Sequence, residues 1–379
     1  LEVVQDLLGL HATSSQTPYL SLLARMKRFT REMLDVELYE KKTLARIRGM
    51  RGTLFLVPRE SIALVHRATR ADFDVQEYLR NWGLPQREFQ ELTRCIIELL
   101  EEGSRTIHEL KRAVPSMLRS HRIRRLQRQQ GRMVYSRSSL AVTLTALGLE
   151  GHIYSFKDPS KLATLPVLRA EAGEVNRYAL LQKDFPEVDL EAYTVEEARS
   201  LLLKRYLAAY GPASLKDMAW WLSLTQRQVQ AALEPFAKEL VELEIFELGK
   251  GFWMLREDFE GLQSFELPEG RQVALLPYED MYLKGYKLRA RLIAPEQEKR
   301  AYPGGSARPT VLVNGRVVGA WEILPVQQNE DEIRLQISLF EGIDGEAEPL
   351  IFKEAQQVLD FFGPRGEIVV ETSVERGAK

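Results

Sequence analysis

Between residues 105 and 140 the sequence sets ten basic side chains against one acid, Glu109. They are Arg105, Lys111, Arg112, Arg119, Arg122, Arg124, Arg125, Arg128, Arg132 and Arg137. A local excess of this size suits a polyanion, because each phosphate neutralised by Lys or Arg releases condensed counterions. The plainer reading is a solvated basic helix, but the concentration of charge and the helical units around it favour nucleic acid. The net charge of −2 hides this division. Residues 1–140 hold 25 Lys and Arg against 16 Asp and Glu, and the remainder is acidic.

Much common catalytic chemistry is excluded. There is no GxxxxGK[ST] phosphate loop, no GxGxxG after a strand, no HExxH and no GxSxG. Gly249-Lys250-Gly251 and Gly304-Gly305 are too short for nucleotide loops and read as turns. The five histidines, His11, His66, His108, His121 and His152, share no metal-ligand spacing and read as surface or packed residues. A single cysteine, Cys95, rules out an intramolecular disulfide and any site built from several thiolates. No metal is expected. What remains is a site assembled from ordinary polar residues, or no enzyme at all.

The chain that must position such a site has 379 residues, 45% hydrophobic and 28% charged. That is enough for two or three domains and too apolar for disorder. No run of about 18 apolar residues occurs, so no membrane span is expected, and the single cysteine fits a reducing, cytoplasmic setting. Leu1 rather than Met opens a helical pattern, so a preceding segment is expected.

A theme recurs along the chain. Residues 195–256 carry it most cleanly: a helix closed by Gly211-Pro212, a helix capped by Ser214, a third capped by Thr225, then a two-strand wing turning at Gly249-Lys250-Gly251. Around residues 87–155, a helix bearing Phe89, Leu92, Ile96 and Leu100 precedes a short helix capped by Thr106. The basic stretch, another helix and the strand-like HIYSF follow. Residues 1–85 fit a third copy: Thr17 caps a helix with Pro18 in its first turn, LYEKKTLARI reads as helix and MRGTLFLV as strand. This is the order of a winged helix-turn-helix. The last hundred residues are strand-rich, with an Asn314-Gly315 hairpin turn and one amphipathic helix at 348–362. The predicted fold class is α+β: three tandem winged helix-turn-helix domains (1–85, 86–170, 171–262) and a small β-barrel (263–379). Trp220, Trp221 and Trp253 read as core, and Tyr278, Tyr282 and Tyr286 as a packed helical stripe.

The pieces GLHATSSQTPYLSLLARM, MRGTLFLVP, AYGPASLKDMAWWLSLT, LLPYEDMYLKGYK and PTVLVNGRVVGAWE resemble the bacterial winged-helix DNA-binding proteins. That group includes the DNA glycosylases that remove bulky alkylated purines and unhook interstrand crosslinks. The resemblance runs in order from Gly9 to about Trp321, and it implies winged helices plus a β-barrel around a basic DNA channel. In the characterised glycosylases of the group, a Gln, one residue, then Gln or Asp positions the attacking water; the matching place here reads His11-Ala12-Thr13. The resemblance thus implies His11 and Thr13 as the catalytic pair, facing the channel, with the ring as acceptor and the hydroxyl as a holder of water. The plainer reading makes His11 a polar residue closing the first helix and Thr13 a loop or capping residue. Asp280 falls where the group carries an acid and Arg289 follows at the group's spacing, so both are candidates for the site's periphery, although Leu288 replaces an acid between them.

The expected DNA contacts are Arg51, Arg119, Arg122, Arg124, Arg125, Arg128 and Arg132, on double-stranded DNA and with no dimerisation zipper to suggest more than a monomer. No cofactor is implied, because water is the nucleophile and an N-alkylated purine already leaves as an activated, cationic group. The leading reading is a hydrolase excising N3- or N7-alkylated purines. A non-catalytic DNA-binding regulator or lesion sensor, and more weakly a protein-interaction module, are the alternatives on the same scaffold.

Overall fold

The computed structural model describes residues 1–114, 122–127, 133–157, 176–326, 329–362 and 366–372. Helices and small sheets are mixed along the chain. Three of the sheets have three strands each and a common plan. In the first, β1 (Leu10–His11) and β2 (Leu44–Arg48) flank β3 (Leu54–Pro58). In the second, β4 (Arg105–Thr106) and β7 (Ile153–Lys157) flank β8 (Asn176–Leu180), with β5 (Arg122–Gln127) and β6 (Met133–Ser138) forming a separate hairpin between helices. In the third, β9 (Ala213–Ser214) and β10 (Leu240–Ile245) flank β11 (Gly249–Leu255). Each sheet therefore places a two-residue strand beside the last strand of a hairpin. The second sheet runs on to Leu180, past residue 170.

Local chemistry explains much of this. Thr106 caps the helix Ile107–Ala113, Thr194 caps Val195–Tyr210, Ser214 caps Leu215–Leu222 and Thr225 caps Gln226–Leu233. Each is a full capping box, its third helical residue reaching back to the cap amide; such a cap stabilises a helix by ~1 kcal/mol. Pro235 ends the last of these early, and a 3-10 turn, Glu234–Glu239, leads into β10. The β10–β11 hairpin turns over Phe246–Leu248, one step before the glycines, which open β11 with positive φ.

Two elements differ from the sequence pattern in the first unit. LARI is strand β2 rather than helix, because pairing with β3 buries Leu44, Ala45, Arg46 and Ile47 together. Thr17 is not a cap: the helix Gln16–Leu23 starts before it, and its hydroxyl donates to the Tyr278 carbonyl at 2.7 Å.

One core joins the first and third units, running from Phe55 and Ile62 through Tyr206 and Trp221 to Met281 and Leu292. The C-terminal part is an open sheet rather than the expected barrel. Its strands lie in the order β12 (Val273–Leu276), β13 (Thr310–Val313), β14 (Arg316–Val326), β15 (Asn329–Leu339), β16 (Gly366–Thr372). Among the described residues β12 and β16 remain separate edges. The reason is the helix Ala347–Phe362, which lays Ile351, Ala355, Val358 and Leu359 on the sheet and fills the space that closure would occupy. Asn314-Gly315 forms the β13–β14 turn with positive φ at both residues, as the hairpin signature requires. No helix among the described residues is long and apolar enough to cross a membrane.

Candidate active site

His11 owes its position to the backbone before it. Gly9 has φ +102, and a Cβ there would stand 2.7 Å from the Leu56 carbonyl oxygen, so glycine alone lets β1 close on β3. The pairing sets His11 opposite Phe55, and the two rings meet edge to face at 5.5 Å. The imidazole is consequently turned inward, 2% exposed, and not toward a channel as expected. The Ala12 amide donates to the Leu54 carbonyl at 2.7 Å. Arg46 Nε donates to the Ala12 carbonyl at 2.8 Å, and Arg46 Nη1 reaches Ser155 Oγ in the second sheet at 3.0 Å.

The first unit departs here from the other two. β4 and β9 run directly into capped helices, whereas residues 12–15 separate β1 from the helix Gln16–Leu23. This extra loop brings Thr13 to the wall of a cleft of about 600 Å³ between the first unit and the C-terminal sheet. His11 stands behind it, with Nε2 3.4 Å from Thr13 Oγ1.

A second group meets the same nitrogen. Glu279 Oε2 lies 3.8 Å from His11 Nε2. Glu279 sits in the turn after β12, itself at φ +56, and is held from two sides. Its Oε1 accepts from the Ala307 amide at 2.6 Å, and Lys284 Nζ lies 3.1 and 2.9 Å from its two carboxylate oxygens. Arg51, at φ +52 in the β2–β3 turn, lays its guanidinium 4.2 Å from the centre of the Trp220 ring, and Lys284 stands over the same ring at 5.5 Å. These contacts join the first and third three-stranded units to the C-terminal part around one buried histidine.

Burial pushes the His11 imidazole down to about 4; Glu279 opposes the shift, and Arg51, Lys284 and Arg46 add to it. A lowered value means a neutral ring at pH 7, able to accept a proton through one nitrogen. His11 Nδ1 is buried and has no hydrogen-bond partner among the described residues. Burial also lowers Lys284, against the pull of Glu279, and lowers Arg51.

The remaining sequence candidates fall in different places. Asp280 is fully buried and accepts from Ser21 Oγ at 2.6 Å and from both terminal nitrogens of Arg25 at 2.9 and 2.7 Å. It clasps the helix Gln16–Leu23 to the turn that presents Glu279. Arg289 pairs with Glu298 at 3.1 Å and lies 3.8 Å from the Tyr302 ring centre. Arg51 packs on the third unit, inside the cluster just described. Arg122, Arg124 and Arg125 lie on β5, while Arg119, Arg128 and Arg132 lie outside the described residues. Glu279 and Lys284 were not among the expected residues; their one sequence signal was that, with Asp280, they are the three charged groups in the stretch LLPYEDMYLKGY. Tyr278 belongs to no packed stripe. The helix begins only at Met281, with Asp280 as its cap, so Tyr278 is left 37% exposed on the cleft.

The chain is similar to an interstrand DNA cross-link repair glycosylase of Streptomyces sahachiroi, 26% identical over 332 residues, covering 85% of this chain and 82% of that protein. Its fold is similar to the solved structure of the Streptomyces sahachiroi DNA glycosylase AlkZ, with a TM-score of 0.73 at 24% identity, covering 97% of this chain and 92% of that one. The sequence pattern of the AlkZ-like DNA glycosylases matches residues 4–361. The chain belongs to the AlkZ-like DNA glycosylase family, enzymes that hydrolyse N-glycosyl bonds in DNA.

Proposed function

We propose that this glycosylase excises N3- or N7-alkylated purines, bulky and crosslinked adducts included, from double-stranded DNA, with Thr13 and His11 handling the attacking water. The observation that carries the reading is the 3.4 Å approach of Thr13 Oγ1, on the cleft wall, to a buried neutral imidazole. In this mechanism water donates to Thr13 Oγ1 while its oxygen attacks C1′ of the lesion. The C1′–N bond breaks and its electron pair neutralises the cationic purine. The water proton passes to the threonine oxygen as the threonine proton passes to His11 Nε2. A base of such low proton affinity is sufficient because the leaving group is already activated. The new imidazolium is then stabilised by the Glu279 carboxylate 3.8 Å away.

The common strand plan of the three small sheets, with capped helices in the second and third units, supports three winged helix-turn-helix units. Binding of a monomer through the phosphates, by the basic stretch that includes the β5–β6 hairpin, is part of the same reading, as is a cytoplasmic setting. The test is release of N7-methylguanine from duplex DNA. His11→Ala and Thr13→Val should each lower the rate by roughly 10²–10⁴ with DNA affinity retained, and Thr13→Ser should restore most of it. Release unchanged in a folded Thr13→Val protein refutes the relay.

A further inference from the structure

Residues 12–15 hold their shape without the device that the other two units use. Thr106 and Ser214 end the two-residue strands of the second and third units and cap the following helix through their side chains. Ser15 makes no such bond at the start of Gln16–Leu23. Ala12, one residue past β1, is instead held at both ends of its backbone. Its amide donates to the Leu54 carbonyl at 2.7 Å, and its carbonyl accepts from Arg46 Nε at 2.8 Å. That carbonyl lies in one rigid plane with the amide and Cα of Thr13. Its direction therefore sets the direction in which Thr13 leaves the strand.

Arg46 reaches this carbonyl from the middle of the molecule. It stands on β2 opposite Leu56, which is in turn opposite Leu10 on β1, and it is 6% exposed. Its other end is anchored in the second unit. Nη1 donates to Ser155 Oγ on β7 at 3.0 Å and to Asn176 Oδ1 on β8 at 3.2 Å. Those two residues share a face of their sheet, because Ser155 pairs with Tyr178, two positions beyond Asn176. A planar guanidinium with a fixed fork of donors makes these bonds together; a lysine ammonium on its flexible stem cannot.

We propose that Arg46 is a positioning residue for base excision, a strut that fixes Thr13 at the cleft wall against the β7–β8 sheet of the second unit. It acts through the Ala12 carbonyl and takes no proton. Through it, the placement of the second unit against the first bears directly on the geometry of the site. The assignment rests on the proposed relay from Thr13 to His11. The same side chain also bears on His11 by charge: burial, Arg51, Lys284 and Arg46 push the imidazole down and Glu279 pulls it up. Removing Arg46 moves the ring upward.

The test is single-turnover release of N7-methylguanine from duplex DNA by the full chain, with affinity for undamaged duplex measured in parallel. Arg46→Ala should release the base about 10–100-fold more slowly, as expected for a reacting group misplaced by about 1 Å, while affinity stays within about twofold of the parent. The vacated space adjoins one pocket lined by Tyr39 and Phe156 and another lined by Tyr178 and Asn176. Millimolar guanidinium should therefore enter and recover much of the rate, and potassium chloride at equal ionic strength should not. The acid limb of the rate should move to higher pH in Arg46→Ala. In Arg46→Lys, which keeps the charge but cannot span both ends, the limb should stay in place while release remains slow. Ser155→Ala combined with Asn176→Ala cuts only the far anchor and should slow release by about three- to tenfold. Parental release by folded Arg46→Ala, a loss that guanidinium does not relieve, or parental release by the Ser155 and Asn176 variant each overturns the strut. If Arg46→Ala fails to fold, that double variant decides. Thr13→Val, run alongside, keeps the two readings apart. Slow release there, with parental release in the arginine variants, removes the strut and leaves the relay standing. Parental release by Thr13→Val refutes the relay, and Arg46 loses the group it is assigned to position.

Discussion

Glu279 Oε2 lies 3.8 Å from His11 Nε2, although the two residues are far apart in the sequence. The carboxylate already carries Lys284 and the Ala307 amide, so the histidine meets an ion pair that is fixed before any proton moves. A positive charge on His11 is opposed first by burial and then by Arg51, Lys284 and Arg46, and is favoured by Glu279.

This arrangement makes a pH prediction. An isolated histidine would lose its acceptor character near pH 6.5, whereas His11, held to about 4, should remain neutral well below that. Base release, corrected for spontaneous loss of the alkylated purine, should stay level from pH 7 to about 5 and decline only as 4 is approached. A decline centred near 6.5 would mean that the ring is not buried in the working enzyme.

The same shift is linked to stability. The folded-state value lies below the unfolded one, so the unfolded chain binds the proton first, and the stabilisation present above pH 6.5 disappears as pH falls toward 4. For His11 the loss is about 3 kcal/mol over that interval. His66, also lowered to about 4 by burial, adds to it. Denaturant midpoints recorded from pH 7 to 4 should fall more steeply for the parent than for His11→Asn.

Glu279→Gln separates the carboxylate's two tasks. It leaves Lys284 buried without a counter-charge, which costs about 3–5 kcal/mol for a pair this buried, and it removes the support for imidazolium. The double substitution Glu279→Gln with Lys284→Met should recover most of the stability in thermal unfolding but not the rate of base release. Recovery of both would make the ion pair merely structural.

Far more of the fold than of the site was legible in the sequence. Capping boxes are local, so Thr106, Ser214 and Thr225 could be read from three or four neighbouring residues, and Asn314-Gly315 from two. The β2 strand was not, because Leu44–Ile47 is apolar enough for either element and only pairing with β3 decides. Closure of the C-terminal sheet is also non-local: it depends on where the helix Ala347–Phe362 packs. His11 and Thr13 became candidates through resemblance. Glu279 and Lys284 pair with each other over five residues, but their approach to His11 is a contact across the chain that no local pattern shows. Asp280 drew attention as an acid, yet its buried pairing with Arg25 shows that it holds the frame.

That frame gives a further prediction. Asp280→Ala strands Arg25 and Ser21 and should destabilise the protein by about 3–5 kcal/mol. Asp280→Asn keeps the shape and part of the hydrogen bonding and should cost less. In both, activity lost at 25 °C should track the loosened turn at Glu279 and leave affinity for undamaged duplex unchanged.

DNA affinity should depend on the basic stretch instead. Replacing Arg122, Arg124, Arg125 and Arg128 together with Ala should weaken binding to every sequence alike and flatten the salt dependence by about 0.9 per lost phosphate contact in a log–log plot. Equal affinity and equal slope for parent and variant would assign these arginines to a solvated surface.

The central claim is that Thr13 passes the proton of the attacking water to His11. Single-turnover release of N7-methylguanine from duplex DNA, measured for the parent, Thr13→Ser, Thr13→Val and His11→Ala, tests it most directly. The relay predicts that Val and Ala fall together by roughly 10²–10⁴ while Ser stays near the parent; a Thr13→Val protein that releases the base at the parental rate would contradict it.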